Sequence, residues 1–409
     1  MASVDQLIAS LQGIDAKSFS SEAERIRARD AVFEALRRIQ SPWDIAWEQC
    51  WVGGAITAAV KTLIDAGVFK KWAEAGGEPI TSTRLAELTG ADVLLIQRMM
   101  RAISGQHLVI EVGLDTYART PWAAALADVP SFAGMYGAFY HDLNNPVFRA
   151  LPDFLRVTGF RNPTDVKQCS LQHWLGKDLT MFEYIGTSAK LTSDFNDAME
   201  CHSRYNLTPW IDIYPTETII EGAKEGRPLV VDVGGGKGHD LKKFLARHRG
   251  QVAPGGLVLE DLPEILKDVV VNDNNDDDDD NDPSSPGPIR VVPHDFFTPQ
   301  PEEARGARVY LMHNVLHDWP DGVARQILCT LAPAMEKGYS RLLIHESLVS
   351  SERPLSRVTV SDITMMAVLG AAERSEDQWR ELVTGAGLRI VKIWRPAQSV
   401  ESIIEVEVA

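Results

Sequence analysis

The stretch "LMHNVLHDWPD", Leu311 to Asp321, sets two histidines four residues apart and places two aspartates behind them. On a helix, His313 and His317 would share one face, as the ligand pair of an H-E-x-x-H zinc site does. Asn314 stands where that site needs its general-base glutamate, and Pro320 would break a helix carrying both ligands. No metal site follows from this spacing. A histidine with a carboxylate at hand is instead suited to proton transfer, because a carboxylate bonded to one ring nitrogen fixes the tautomer and stabilises the imidazolium.

A second stretch, "VVDVGGGKGHDLKKF", runs a buried strand into Gly234, Gly235, Gly236 and Gly238 and then into a helix. Without side chains there, a ligand can approach the backbone at the helix N-terminus. A dinucleotide fingerprint begun at Gly234 would need glycine at 239, where His239 sits, and a P-loop needs Ser or Thr where Gly238 stands. Neither a pyrophosphate cradle nor a Walker site fits. The next strand ends in "LEDLP", which puts Asp261, with Leu262 beside it and Glu260 before it, where a ribose diol is gripped. The third ends in "PHDFF", so that Asp295 could accept from an adenine amino group while Phe296 covers the ring. Ribose, adenine and a glycine turn without a pyrophosphate motif suggest an adenosine ligand such as S-adenosylmethionine.

These pieces need a scaffold. A chain of 409 residues is long for one core, and 44% hydrophobic with 24% charged residues is ordinary for a globular protein. Two helical segments occupy residues 1 to about 75, in a helical region spanning 1–130, and 80–123 reads as a winged helix: two helices and a pair of strands around "GLD". Ile96, Met99, Met100 and Ile103 dominate its second helix, which favours apolar packing over DNA reading. From 131 to 215 the chain is rich in aromatics and methionine, suited to lining an apolar pocket. His141, Met199 and His202 are the pocket candidates there, with Met365 and Met366 further on. Residues 216–409 alternate strands with helices, the pattern of a doubly wound α/β domain with a mostly parallel sheet.

The formal net charge is −16, and the run "NDNNDDDDDND" alone holds seven aspartates. With the "PSSPGP" that follows, it reads as a disordered acidic loop over 272–288. It lacks the glycine and closing glutamate of an EF-hand. An acidic chain disfavours nucleic acid. No stretch approaches the ~20 apolar residues that span a bilayer, so no membrane partner and a cytoplasmic location are expected. Cys50, Cys169, Cys201 and Cys329 are scattered, as reduced thiols would be.

Taken in order, "VVDVGGGKGHDL", "LEDLP", "PHDFF", "LHDWPD", "LLIHESL" and "GAAERSEDQWRELVTGAGLRIVKIW" resemble the successive motifs of the plant caffeate/isoflavone O-methyltransferase family, in its fungal natural-product branch. The resemblance covers most of the chain. It implies a Rossmann-like class I methyltransferase domain preceded by a helical dimerisation lobe with a winged helix, a homodimer, and S-adenosylmethionine as cofactor. It also implies a small aromatic or polyketide-derived substrate, with His317 as the base and Glu346 and Glu373 flanking it. At His313 plant members carry Lys and fungal ones often Arg, near the cofactor's adenine side, so a neutral or weakly charged ring is expected there. His345 reads as a strand histidine. The rival function is a methyltransferase-like pericyclase that binds the cofactor without transferring methyl.

Overall fold

The computed structural model describes residues 3–206, 208–267, 269, 287–396 and 400–409; the acidic run lies outside the described residues. The chain divides into two compact units, Met1–Tyr136 and Gly137–Ala409.

In the first unit, helices Gly53–Asp65, Val68–Glu74, Ser82–Thr89 and Val93–Ser104 pack around Leu63, Phe69, Trp72, Leu85 and Met100. Thr81 and Asp92 cap the last two helices by accepting from Arg84 and Leu95 N–H. Strands β1 (Ile80–Thr81), β2 (Val109–Gly113) and β3 (Thr116–Arg119) form an antiparallel sheet in the order β1-β3-β2. As expected of the helix Val93–Ser104, Ile96, Met100 and Ile103 are buried and Met99 is partly so. The helix Val4–Gln12 buries none of its residues, and Trp43, Trp47 and Trp51 form an exposed ladder in which the last two rings stack at 5.0 Å.

The second unit is built on one sheet. Among the described residues its strands run β10-β11-β8-β7-β4-β5-β6, with the short β9 beside β8. They are β4 (Val230–Val233), β5 (Leu257–Asp261), β6 (Ile289–Pro293), β7 (Val309–His313), β8 (Arg341–Val349), β9 (Arg374–Ser375), β10 (Leu388–Trp394) and β11 (Glu401–Val408). Strands β4 to β9 pair in parallel, while β10 and β11 close the edge antiparallel. Alternate residues serve two separate cores: Val231, Val258, Tyr310, Met312 and Ile344 face one, and Val230, Leu257, Leu259, Leu311 and Leu343 the other. That is why these strands read as unbroken apolar runs. The aromatic-rich helices expected as a separate segment over 131–215 belong, from Gly137 onward, to this same unit. Asn144–Val157, Ser170–Leu175 and Met181–Ile185 share a cluster with Leu369 and Ala371 at the end of helix Ser356–Leu369.

None of the four cysteines forms a disulfide. No single described helix is long and apolar enough to cross a membrane.

Gly370 ends the helix Ser356–Leu369 with φ +59°, and a Cβ there would lie 2.5 Å from the Asp165 carbonyl oxygen. Three residues later comes Glu373, so this turn also aims a site residue. Gly370→Ala is expected to lower unfolding stability by about 2 kcal/mol, combining a left-handed alanine with a displaced loop. Urea denaturation of both proteins checks it, and an unchanged midpoint would mean that the loop yields freely.

Candidate functional site

Strand β4 leads into the glycine turn at the carboxyl end of the sheet, where ligands of open α/β sheets bind. Gly234 and Gly235 N–H both donate to the Glu260 carbonyl, at 2.9 and 3.0 Å, tying the turn to β5. A Cβ on Gly235 would stand 2.5 Å from the Asp232 carboxyl and 2.6 Å from Leu259, so only glycine fits. At Gly236 (φ +57°) a Cβ would meet nothing within 4 Å, which leaves open space over the backbone. Gly236 N–H donates to Asp261 Oδ2 at 2.8 Å, and Leu262 N–H donates to Oδ1 at 2.7 Å. Each carboxylate oxygen keeps a second lone pair for a hydroxyl donor. Glu260 is not a rival to Asp261: its side chain is buried near Gln300, and burial pushes its carboxyl up to about 7.

Phe296 covers the turn, its ring edge 3.8 Å from where a Gly234 Cβ would be. It packs at 5.0 Å on Phe297 and edge-on to Trp319 at 6.1 Å. Asp295 is exposed and accepts from Phe297 N–H at 3.0 Å within its own turn. An open glycine backbone, a two-oxygen acceptor and an aromatic wall together fit an adenosyl group.

The sheet separates the two opening histidines. His313 closes β7, and Asn314 then takes φ +53°, which its short polar side chain tolerates, and turns the chain out of the sheet. His317 lies in the single helical turn Leu316–Asp318 before Pro320 starts the helix Asp321–Leu331. Its Nδ1 is 3.0 Å from Glu373 Oε1 and 3.6 Å from Glu346 Oε2, while Asp318 Oδ1 lies 3.5 Å from Nε2. Ser361 Oγ donates to the same Glu373 oxygen at 2.6 Å. Glu346 Oε1 accepts backbone N–H groups from Val315, Leu316 and His317 at 3.2, 2.9 and 3.3 Å.

The surroundings of His317 compete. Burial favours its neutral form, but Glu346, Glu373 and Asp318 together raise the imidazole well above its usual range. Burial likewise pushes Glu346 up to about 7 and Asp318 up to about 6, against the pull of the histidine.

His313 corrects the expectation of a weakly charged ring facing the cofactor. Its Nδ1 is 2.5 Å from Asp240 Oδ2 and its Nε2 is 3.1 Å from Glu401 Oε2. A neutral imidazole has a single N–H, so two flanking carboxylates favour the imidazolium. Burial opposes this, yet Asp240 and Glu401 raise the group well above its usual range. Despite their own burial, His313 holds Asp240 well below the usual carboxylate range and Glu401 down to about 2. Through Asp240, in the helix His239–Arg247 that follows the glycine turn, His313 supports that turn.

Other expected residues divide. Burial lowers the pKa of His202, and Glu401, His317, His313 and Arg357 lie near enough to act on it. His141 is a correction: its side chain is 65% exposed and pairs with its neighbour Asp142 at 2.7 Å. Met365 packs into the helical core, Met366 is half-buried, and Met199 is 38% exposed.

Sequence reasoning missed Arg374. Buried beside Glu373, its guanidinium donates to the Leu316 and Trp319 carbonyls at 2.9 and 2.6 Å and to Asp321 Oδ1 at 2.8 Å, so it clamps the His317 turn from outside. Nothing in "AAERSE" distinguishes such an arginine from a surface one. Asp240 and Glu401 carried no local signal either.

A family model described as an O-methyltransferase domain matches residues 163–389. The chain is 35% identical over 401 residues to the O-methyltransferase mfmE of Annulohypoxylon moriforme, covering 98% of this chain and 95% of that protein. Among solved structures, LepI in complex with S-adenosylmethionine superposes with a TM-score of 0.85 at 25% identity, over 99% of this chain and 98% of that one. One described as a pericyclic reaction enzyme gives 0.86 at 25% identity, over 99% of both chains.

The carboxylates around His317 have a measurable consequence. In the ligand-free protein its ring should hold its proton to a pH above the usual ~6.5. Followed by NMR of the imidazole carbon-bound protons, Glu373→Gln should move the midpoint down, since it removes one of the carboxylates that raise it. A midpoint at or below 6.5 in the parent protein would show that burial prevails over the carboxylates.

Proposed function

The chain belongs to the O-methyltransferase family and its methyl donor is S-adenosylmethionine; on that premise we propose that His317 is the general base that deprotonates a hydroxyl of a small aromatic or polyketide-derived substrate. The observation that carries this reading is the 3.0 Å contact between His317 Nδ1 and Glu373. With its proton directed at Glu373, Nδ1 leaves the Nε2 lone pair for the substrate hydroxyl. The cofactor, when bound, supplies a sulfonium methyl group as the electrophile. Gly234, Gly235, Gly236, Asp261, Leu262, Asp295 and Phe296 are the residues that would hold it.

The chain's own part is proton transfer and alignment. Phenols have a pKa of ~10, and a histidine raised by three carboxylates is a stronger acceptor than a free one. As Nε2 takes the proton, the imidazolium is stabilised by Glu373 and Glu346, which are already in place. The Glu346 and Arg374 contacts hold the turn, so the ring does not have to be reoriented during the reaction. His202, its ring kept neutral by burial, and the half-buried Met366 are the side chains best suited to face the substrate.

Replacing His317 by Ala should slow methyl transfer by about 10²–10⁴-fold while leaving cofactor affinity within a few-fold. In the parent enzyme kcat/KM should rise with pH as the raised imidazole loses its proton. Both are read with labelled S-adenosylmethionine, and near-parent turnover in H317A would remove His317 from the base role. The likeness to a pericyclic reaction enzyme favours one alternative outcome, in which substrate is converted and no label is transferred.

Homodimer formation belongs to the same proposal. The exposed apolar positions Val4, Leu7, Ile8 and Leu11 lie on the helix Val4–Gln12, which buries none of its residues, and the Trp43–Trp47–Trp51 ladder is open as well. An unburied apolar helix face and an open aromatic ladder of this kind mark interaction surfaces. Light scattering coupled to size exclusion should give twice the 45.2 kDa chain mass, and Leu7→Asp with Leu11→Asp should shift it toward the monomer. A monomeric parent protein would reject the dimer.

A further inference from the structure

The partner of His313 is not His317, four residues along, but His345 on the next strand. The two are register partners on the parallel strands β7 and β8, so they leave the sheet on the same face, and their ring centres are 4.1 Å apart. Glu401 opens β11, which flanks β8 on its other side. Its Oε2 is 3.1 Å from His313 Nε2 and 3.3 Å from His345 Nε2. One candidate ligand atom from each of the three residues lies within 4.8 Å of the other two.

His345 is 0% exposed, and beyond the 3.3 Å approach of Glu401 to Nε2 neither ring nitrogen makes a hydrogen bond among the described residues. A buried imidazole left unsatisfied is costly and calls for an explanation. The residues around it are arranged as the outer shell of a metal site is. Asp240 fixes His313 through Nδ1 at 2.5 Å, which leaves Nε2 pointing inward, and Asn314 Nδ2 donates to Glu401 Oε1 at 2.9 Å, which aims the other carboxylate oxygen at the histidines. Carboxylate–histidine–metal relays are built in this way.

We infer that His313, His345 and Glu401 form a binding site for one divalent transition-metal ion, with Asp240 and Asn314 orienting the ligands. Two imidazole nitrogens and one carboxylate oxygen suit Zn²⁺, Co²⁺ or Ni²⁺, whereas Mg²⁺ and Ca²⁺ prefer oxygen alone. Bound there, the ion replaces the proton that His313 otherwise holds against Glu401. It staples the ends of β7, β8 and β11 and, through Asp240, the helix that follows the glycine turn. Its role is structural, and no electron or group transfer is assigned to it. The inference is independent of whether His317 is the base.

The test uses the full chain, stripped with chelator and titrated with Co²⁺ and Zn²⁺. The expected result is one ion per chain, visible Co²⁺ absorption bands of four- or five-coordination, and a higher Tm with metal than without. Affinity should fall at least about tenfold in His345→Gln and Glu401→Gln, fall about 10–100-fold in Asp240→Asn, and stay unchanged in His317→Ala. Loss confined to H317A would assign the ion to His317, Glu346 and Glu373 and overturn the inference, as would absence of stoichiometric uptake by the parent protein. Should the ligand variants fail to fold, X-ray absorption of the parent zinc complex decides. Two imidazoles with oxygen support the site, and an all-oxygen or single-imidazole shell rejects it.

Discussion

The Glu346 carboxylate is the contact on which the site depends. It stands near the end of β8, wholly buried, and one of its oxygens gathers three successive backbone N–H groups of the turn that carries His317. Such a turn exposes donors that no strand or long helix satisfies, and a buried carboxylate is among the few groups able to accept all three. Arg374 completes the hold by collecting two carbonyls of the same segment. A turn held through both its donors and its acceptors has little freedom left. Each of these charges would be costly alone, since removing one partner of a buried pair leaves the other uncompensated. Together with His317 and Glu373 they form a group in which every member needs the rest.

Strand β8 also explains why the site has two histidine clusters instead of one. His345 and Glu346 are adjacent, so their side chains leave opposite faces of the sheet. Glu346 turns to the His317 loop, and His345 turns to His313, Glu401 and Asp240. In the proposed function the first cluster handles the proton, while the second braces the glycine turn through Asp240. The separation explains why spacing misled: four residues in sequence are one helical turn, but here a strand end and a left-handed Asn314 carry the chain from one cluster to the other.

Much of the architecture was legible because its causes are local. Doubly buried strands read as apolar runs, the glycine turn has to be glycine where a Cβ would strike Asp232, and Pro320 marks the start of a helix. Partners brought together by the sheet were not legible. Glu401 lies far along the chain from His313, and nothing in "VESIIEVEV" sets its first glutamate apart from the two that follow. The charge on His313 was misjudged for the same reason, since a ring's ionisation is fixed by what faces it. His141 and His202 show the limit in miniature. Both sit in aromatic-rich sequence, but one is exposed beside Asp142 while the other is partly buried within reach of the charges of both clusters.

The environment of His317 bears on the kind of hydroxyl it can serve. Adding carboxylates strengthens the ring as a proton acceptor but shrinks the fraction that is neutral at a given pH. The first effect narrows the gap to a phenol near pKa ~10, and the second lowers the population of active base. For an aliphatic alcohol, a far weaker acid, the gain would still leave proton transfer steeply uphill. For a phenol or enol it narrows the gap that remains. Burial works in the opposite sense and offsets part of that rise. The two opposed influences, one from carboxylates and one from desolvation, thus tune the base to acidic hydroxyls, which supports an aromatic or enolic acceptor over a simple alcohol.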